Sequence, residues 1–416
     1  MTTSTVSTPR QLIGCHHCGL LQYQPVIKGR GRTRCKRCQS TLTHHKNVDF
    51  QKPLALSITG IILFLITNAY PMLTLRVEGR AQEAGLLSSV KYFFSHEMYL
   101  LSGLMLITCF IVPLVQLFAL IYLHVPLVRG RVARHSAQIL RLLYRIAPWG
   151  MVEIFLLGIL VSMIKLGKLA TLNPGVAMWS YIALILTLTS ASSSFDPHAI
   201  WKILPLQRPW HPPRFDAPYF ICPACHLTFG SGASKKYHAT CPRCALKVYH
   251  RKPQSLQRAS ALVITAIIFY IPANLFPITH MSALGTDQSD TILSGVIFFM
   301  TSGSWHIALV IFLASVAIPL AKLLILIYLI FSAHRSVKLT PEMRTRIYHL
   351  TELVGRWSMV DVYVVAALVT LVRLNPLAVI TAGSGVLYFA AVVVITMFAA
   401  ESFDPRILWD KETSHE

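Results

Sequence analysis

Eight apolar stretches constrain this chain more than any other feature. They cover roughly 54–75, 99–123, 149–166, 175–195, 259–280, 305–331, 357–374 and 382–400. A bilayer core of about 30 Å is crossed by about 20 apolar residues in a helix. Inside that core every backbone N–H and C=O must be paired, which favours helices. The stretches therefore predict helical spans, of which the third and seventh are short and carry charge. Composition agrees, with 13% charged residues and a mean hydropathy of +0.55 where soluble domains carry roughly 25% charged residues. Residues 1–53 contain no apolar run, so no cleavable signal peptide is expected.

The net charge of +21 is distributed by segment. The first 53 residues carry nine Lys/Arg against one acid, and 124–148 carries five Arg and no acid. The linker 196–258 carries ten Lys/Arg against two acids, while 281–304 has no Lys/Arg. The positive-inside rule then places both termini and the linker in the cytoplasm. The excess is accounted for by topology and attraction to anionic lipid headgroups, and no nucleic-acid partner is expected.

The chain also repeats itself. Cys15-x-x-Cys18 and Cys35-x-x-Cys38 recur as Cys222-x-x-Cys225 and Cys241-x-x-Cys244. At an offset of 206, Asn68 and Pro71 match Asn274 and Pro277, and Pro113 matches Pro319. At 208, Trp149-Gly-Met-Val-Glu153 matches Trp357-Ser-Met-Val-Asp361, Lys165 matches Arg373, and Phe195-Asp-Pro197 matches Phe403-Asp-Pro405. An even number of spans per half makes the repeats parallel rather than inverted. The expected architecture is an all-α polytopic membrane protein built as a tandem parallel repeat. Residues 1–53 form a cytoplasmic zinc ribbon and 54–200 a four-helix membrane domain; 201–258 form a second ribbon, and 259–416 a second membrane domain with a cytoplasmic tail.

Eight of nine cysteines fall into two C-x2-C…C-x2-C sets with 16 and 15 residues between the pairs. This is the spacing of a four-thiolate zinc ribbon, in which each pair supplies two ligands from a tight turn. Residues 222–226 read CPACH, which alone is a c-type haem motif, but the first set has no His after Cys18. Zinc is the expected ion in both sets, with iron in the same ribbon as the alternative; neither set has an open ligand position, so the metal is structural. Cys109 lies alone in an apolar span and reads as a small buried hydrophobe.

With these motifs, the chain from about residue 12 to 410 resembles the paraquat-inducible protein A family. Trp149-Gly-Met-Val-Glu153 with Val161-Ser-Met-Ile-Lys-Leu166 is most similar to that name-giving branch, and the LetA branch is more distant. The resemblance implies a multi-pass protein of the Gram-negative inner membrane. It further implies an MCE-domain partner forming a periplasmic tunnel, and phospholipid as cargo.

Ionisable groups inside a membrane are functional candidates. Lys322 lies about eight residues from the cytoplasmic end of the sixth span, and Asp361 about four residues into the seventh. At 1.5 Å rise per residue their depths differ by only about 6 Å. Ser315 shares a helix face with Lys322, Ser358 shares one with Asp361, and Thr396 lies at similar height. These five are expected to form a buried cluster able to pass a proton, or a satisfied structural pair. In the first half Gln116, Gly150 and Glu153 stand in place of Lys322, Ser358 and Asp361, so the ionised element is expected in the second half. Lys165 and Arg373, near outer span ends, are read as snorkelling side chains or phosphate contacts. Asn68, Pro71, Asn274 and Pro277 end the first span of each half as terminators or hinges. Asp196 and Asp404 are expected to cap a short helix or pair with a basic loop. Segment 340–356 reads as an amphipathic interfacial helix, and 131–147 less clearly.

No phosphate-binding P-loop, Gly-x-Ser-x-Gly elbow or HExxH helix occurs, so no enzyme is expected. Two functions remain: a lipid-transport subunit serving the MCE partner, or a non-transporting zinc-clamped scaffold or regulator that anchors it.

Overall fold

The computed structural model describes residues 12–24, 31–45, 49–77, 80–166, 171–230, 238–283, 286–301, 303, 305–334, 340–374 and 378–410. Among these, eight helical segments are long and apolar enough to cross a membrane. The first span, Gln51–Ala69, packs along the fourth, Val176–Ser194. The fifth, Ser255–Leu275, packs along the eighth, Gly385–Ser402. The second span and the sixth each contain one π turn, Leu106–Ile111 and Leu313–Ala317. Pro113 and Pro319 follow these turns directly. A proline there donates no hydrogen bond and crowds the carbonyl four residues back, so the helix widens locally.

The third and seventh spans each begin as an amphipathic helix, Ser136–Ile146 and Pro341–Gly355. Each then tightens into a 3-10 turn, Ala147–Trp149 and Arg356–Met359, before the membrane helices Val152–Leu166 and Val360–Leu371. On the second amphipathic helix Met343 and Leu350 are exposed while Tyr348 is buried.

The two membrane helices cross at the centre of the main core. A Cβ on Gly158 would lie 2.7 Å from Tyr363 Cβ and 3.1 Å from its carbonyl carbon, so only glycine permits this approach. Ser162 Oγ donates to Val364 O at 3.2 Å, and Tyr363 OH is hydrogen-bonded to Thr108 Oγ1 at 2.8 Å. Farther along, Thr370 Oγ1 donates to Ser89 Oγ at 3.0 Å. From Val362 to Leu371 every residue of the seventh span is buried. Cys109, at 1% exposure, belongs to the same core.

The fold is not all-helical outside the cysteine modules. Beyond Pro71 the chain leaves the helix, and Leu73–Val77 pairs antiparallel with Arg80–Ala84 and with Thr171–Pro174. Beyond Pro277, Thr279–Ala283 pairs with Thr286–Asp290 and with Ala378–Ala382, which also pairs with Arg373–Leu374. Of these residues, 73–75, 279–280 and 373–374 are expected from the sequence as the last turns of the first, fifth and seventh spans. The prolines halt the helices, and strand partners about a hundred residues away satisfy the freed backbone. Arg373 accordingly sits in a strand opposite Val379 rather than on a span. Lys165 lies near the end of Val152–Leu166; the side chains of both residues fall outside the described set.

The cysteine modules are each two short hairpins, and they are exchanged between halves. The first module packs on the second membrane half: Cys15, Cys18 and Cys35 share a core with Leu329, Tyr348, Phe403 and Trp409. Arg37 lies over the Trp409 ring at 4.6 Å and donates to its carbonyl, 372 residues away. The second module packs on the first half, where Cys222, Phe220 and Phe229 join Leu123, Leu140 and Trp201. The modules also touch each other, with Gly14 N donating to Thr228 Oγ1 at 2.9 Å.

Gly158→Ala should lower the stability of the detergent-solubilised protein by about 1–3 kcal/mol through overpacking, read as an earlier thermal aggregation midpoint. Gly103→Ala should not, because a Cβ there meets nothing within 4 Å.

Candidate functional site

All four Cys-x-x-Cys turns have the same backbone. The residue after the second cysteine is left-handed in each: Gly19 at φ 78°, Gln39 at 58°, His226 at 54° and Ala245 at 56°. Its N–H donates to the carbonyl of the first cysteine at 2.8, 3.1, 2.9 and 3.0 Å respectively. The first cysteine's N–H donates to the carbonyl five residues on, from Cys15 to Leu20, Cys35 to Ser40, Cys222 to Leu227 and Cys241 to Leu246. Both sulfurs of a turn are thereby aimed to one side. His226 in CPACH is the left-handed turn residue, not a haem ligand.

The sulfurs of each set lie within 4.8 Å of one another. Cys15–Cys38 and Cys18–Cys35 are 3.5 and 3.6 Å apart, and Cys222–Cys244 and Cys225–Cys241 both 3.5 Å. A tetrahedral ion with metal–sulfur bonds of about 2.3 Å needs sulfurs about 3.8 Å apart, so both sets fit a four-thiolate ion. Hydrogen bonds from Cys15 and Cys18 draw the Cys35 thiol down to about 6. Bonds led by Cys15 lower Cys38, and bonds led by Cys222 lower Cys241, whereas bonds led by Cys15 raise Cys18 and bonds led by Cys225 raise Cys222. When bound, the ion supplies a closed tetrahedral clamp on two hairpins.

A row of imidazoles, unremarked in the sequence, joins the modules. Ring centroids are 4.0 Å apart for His16–His17, 4.6 Å for His16–His226, 4.3 Å for His17–His349 and 4.7 Å for His198–His226. Burial holds His16 down to about 2 and His17 and His226 at about 4, so these rings are neutral. The signal in the sequence was the pair His16-His17 inside the first turn.

Of the membrane cluster, Ser315, Lys322, Ser358 and Thr396 are all buried and Asp361 is half-buried. The π turn holding Ser315 packs on the 3-10 turn holding Ser358 and on the helix of Asp361; the helix of Thr396 packs on that same 3-10 turn. Among the described residues Ser315 Oγ and Ser358 Oγ have no hydrogen-bond partner, and Thr396 Oγ1 donates to Val393 O at 2.9 Å. Lys322 Nζ reaches Gly355, where an added Cβ would lie 2.7 Å away, and the ion pairs among the described residues do not include Lys322 with Asp361. In the first half, Gln116 Nε2 donates to Ser192 Oγ at 2.9 Å and exposed Glu153 accepts from Thr189 Oγ1 at 3.2 Å.

The helix-ending asparagines behave alike, Asn68 Nδ2 donating to Phe64 O and Asn274 Nδ2 to Tyr270 O, each at 2.8 Å. Pro71 and Pro277 stand between these helices and the strands. Asp196 caps Pro197–Ile203 by accepting from His198 N and Ala199 N. Asp404 instead binds Arg406 Nε at 2.9 Å and accepts from Lys252 N at 3.0 Å, tying the second module's linker to the eighth span.

Eight membrane-capable helices and two four-thiolate clusters define a multi-pass membrane protein with metal-binding modules. The sequence profile described as "Paraquat-inducible protein A" matches residues 50–204 and again 256–412, and the chain belongs to that family. It is 34% identical over 411 residues to the intermembrane transport protein PqiA of Escherichia coli K12, covering 97% of each chain. It is 29% identical to lipophilic envelope-spanning tunnel protein A of the same organism, over 96% of this chain and 91% of that one. A probable intermembrane transport protein of Haemophilus influenzae is 28% identical over 98% of both. No solved structure matches.

The purified protein should carry one ion per cluster, two in all, and Cys241→Ser should halve the metal content measured by elemental analysis. Ala245→Gly should slow loss of metal to a chelator, because glycine removes about 1 kcal/mol of left-handed strain.

Proposed function

We propose that this chain is the inner-membrane subunit of an intermembrane lipid transport system. It loads or unloads a periplasmic MCE-domain tunnel protein with phospholipid. Its two halves are a parallel duplication, its cysteine modules hold zinc in the cytosol, and both termini lie on that side. The strands beyond Pro71 and Pro277 then face the periplasm, where the partner docks. Names of full-length relatives support the transport class, and the basic loops support the orientation. The chain acts without enzymatic chemistry.

The observation that carries a transport mechanism is Lys322, a lysine in a membrane-capable helix at 4% exposure, on the helix that follows the π turn holding the buried Ser315. Burying an ammonium costs several kcal/mol, and a scaffold gains nothing from that cost. Proton exchange within the cluster of Ser315, Lys322, Ser358, Asp361 and Thr396 couples lipid movement to the membrane gradient. The first half, with Gln116 satisfied by Ser192, serves as scaffold.

Lys322→Met and Asp361→Asn should each accumulate normally in the membrane yet fail to rescue a strain sensitised to loss of intermembrane lipid transport. Full rescue by both would leave the zinc-clamped scaffold as the better reading.

A further inference from the structure

Between the two cysteine modules and the adjoining ends of the spans lies a cavity of about 750 Å³. Small-molecule sites commonly measure about 300–1,000 Å³. The first module contributes His16 and His17 to its wall, the second contributes Lys247 and Tyr249, and Lys322 lines it from the membrane side. We propose that this cavity binds a phosphate-bearing lipid headgroup, with Lys322 as its innermost cation. The proposal deepens the transport reading and rests on it for the source of the headgroup, but the chemistry of the site stands without it.

Lys322 gives the first reason. Among the described residues its ammonium has neither a hydrogen-bond nor an ion-pair partner, although it is almost wholly buried. A buried charge without a counter-charge is expensive, and here it lines an open volume. Space has been cleared for it: a Cβ on Gly355 would lie 2.7 Å from Nζ and 2.9 Å from Cε.

The first half supplies an internal control. A smaller cavity of about 280 Å³ there is lined by Gln116, Ala147 and Ser192. Gln116 and Ala147 occupy the positions matching Lys322 and Gly355 at offsets of 206 and 208. That amide is satisfied by Ser192 at 2.9 Å and needs no ligand. A cation and the glycine that accommodates it therefore occur together in the larger cavity, and neither occurs in the smaller.

The remaining lining has the same sign. Arg145, Lys247, Lys252, Lys322 and Arg406 face three carboxylates, Glu352, Glu401 and Asp404. Two of those are engaged, Asp404 by Arg406 at 2.9 Å and Glu352 by His349 at 3.6 Å. Two further wall residues carry buried ring nitrogens without partners among the described residues, His226 Nδ1 and His349 Nε2. Trp149, Leu353 and Met397 give an apolar side suited to a glycerol backbone and the first acyl carbons.

Protection of Lys322 tests this directly. The metal-loaded, full-length protein in detergent is treated with formaldehyde and a borane reductant, and dimethylation of Lys322 is read by peptide mass spectrometry. Methylation should occur without additive and be lost with phosphatidylglycerol mixed micelles, but not with diacylglycerol micelles. Soluble glycerol phosphate should protect at higher concentration, and Gly355→Val should abolish protection. Protection by inorganic phosphate but not by phosphatidylglycerol would overturn the lipid source and leave a free-phosphate site. A Lys322 that is never methylated, or is methylated equally in every condition, would overturn the site itself. The readout does not involve transport, so it stands whether or not Lys322→Met rescues the sensitised strain.

Discussion

The close crossing of the third and seventh spans at Gly158 and Tyr363 is the contact on which the rest of the body depends. Water drives no association between helices inside a bilayer, so packing and interhelical hydrogen bonds must do it. Glycine on one side and a run of valine and alanine on the other bring the two backbones together, and Ser162 reaches across to Val364. Because the seventh span is buried from Val362 to Leu371, the polar groups it carries there, Tyr363 and Thr370, face protein rather than lipid.

The same geometry separates two kinds of polar residue. Glu153 lies at the position of the first half matching Asp361 but is exposed, held by one contact from Thr189. Lys322 is turned inward and carries its charge to the boundary between membrane helices and cysteine modules. The matching positions Glu153 and Asp361 thus have different surroundings, exposed and half-buried, and surroundings decide what an ionisable group can do.

The spans were legible in the sequence because lipid leaves a backbone few alternatives, and the metal sets were legible because four thiolates at that spacing have few other uses. The strands were not. Leu73–Val77 continues the apolar run before it, and its partner Thr171–Pro174 is about a hundred residues away, so neither periodicity nor neighbours mark it. The burial of Ser315, Lys322 and Ser358 followed from their place in apolar spans. The direction of the lysine did not, because it depends on Gly355, a residue whose meaning lies in what it lacks. Of the row of histidines only the pair His16-His17 showed in the sequence, for a third reason: its members come from both modules, from Pro197–Ile203 and from Pro341–Gly355, and only the tertiary fold assembles them.

Exchange of the cysteine modules carries a consequence for how the molecule is made. The first module leaves the ribosome well before the helices of the second half, yet its core is completed by Tyr348, Phe403 and Trp409. A hairpin pair of this size cannot hold itself together by burial alone. An ion held by its four sulfurs would let it fold early and wait, preserving a surface for partners not yet synthesised. The second module emerges after the first half it covers and can dock at once. Two modules of the same construction therefore face different demands in time: one must endure alone, the other only has to arrive.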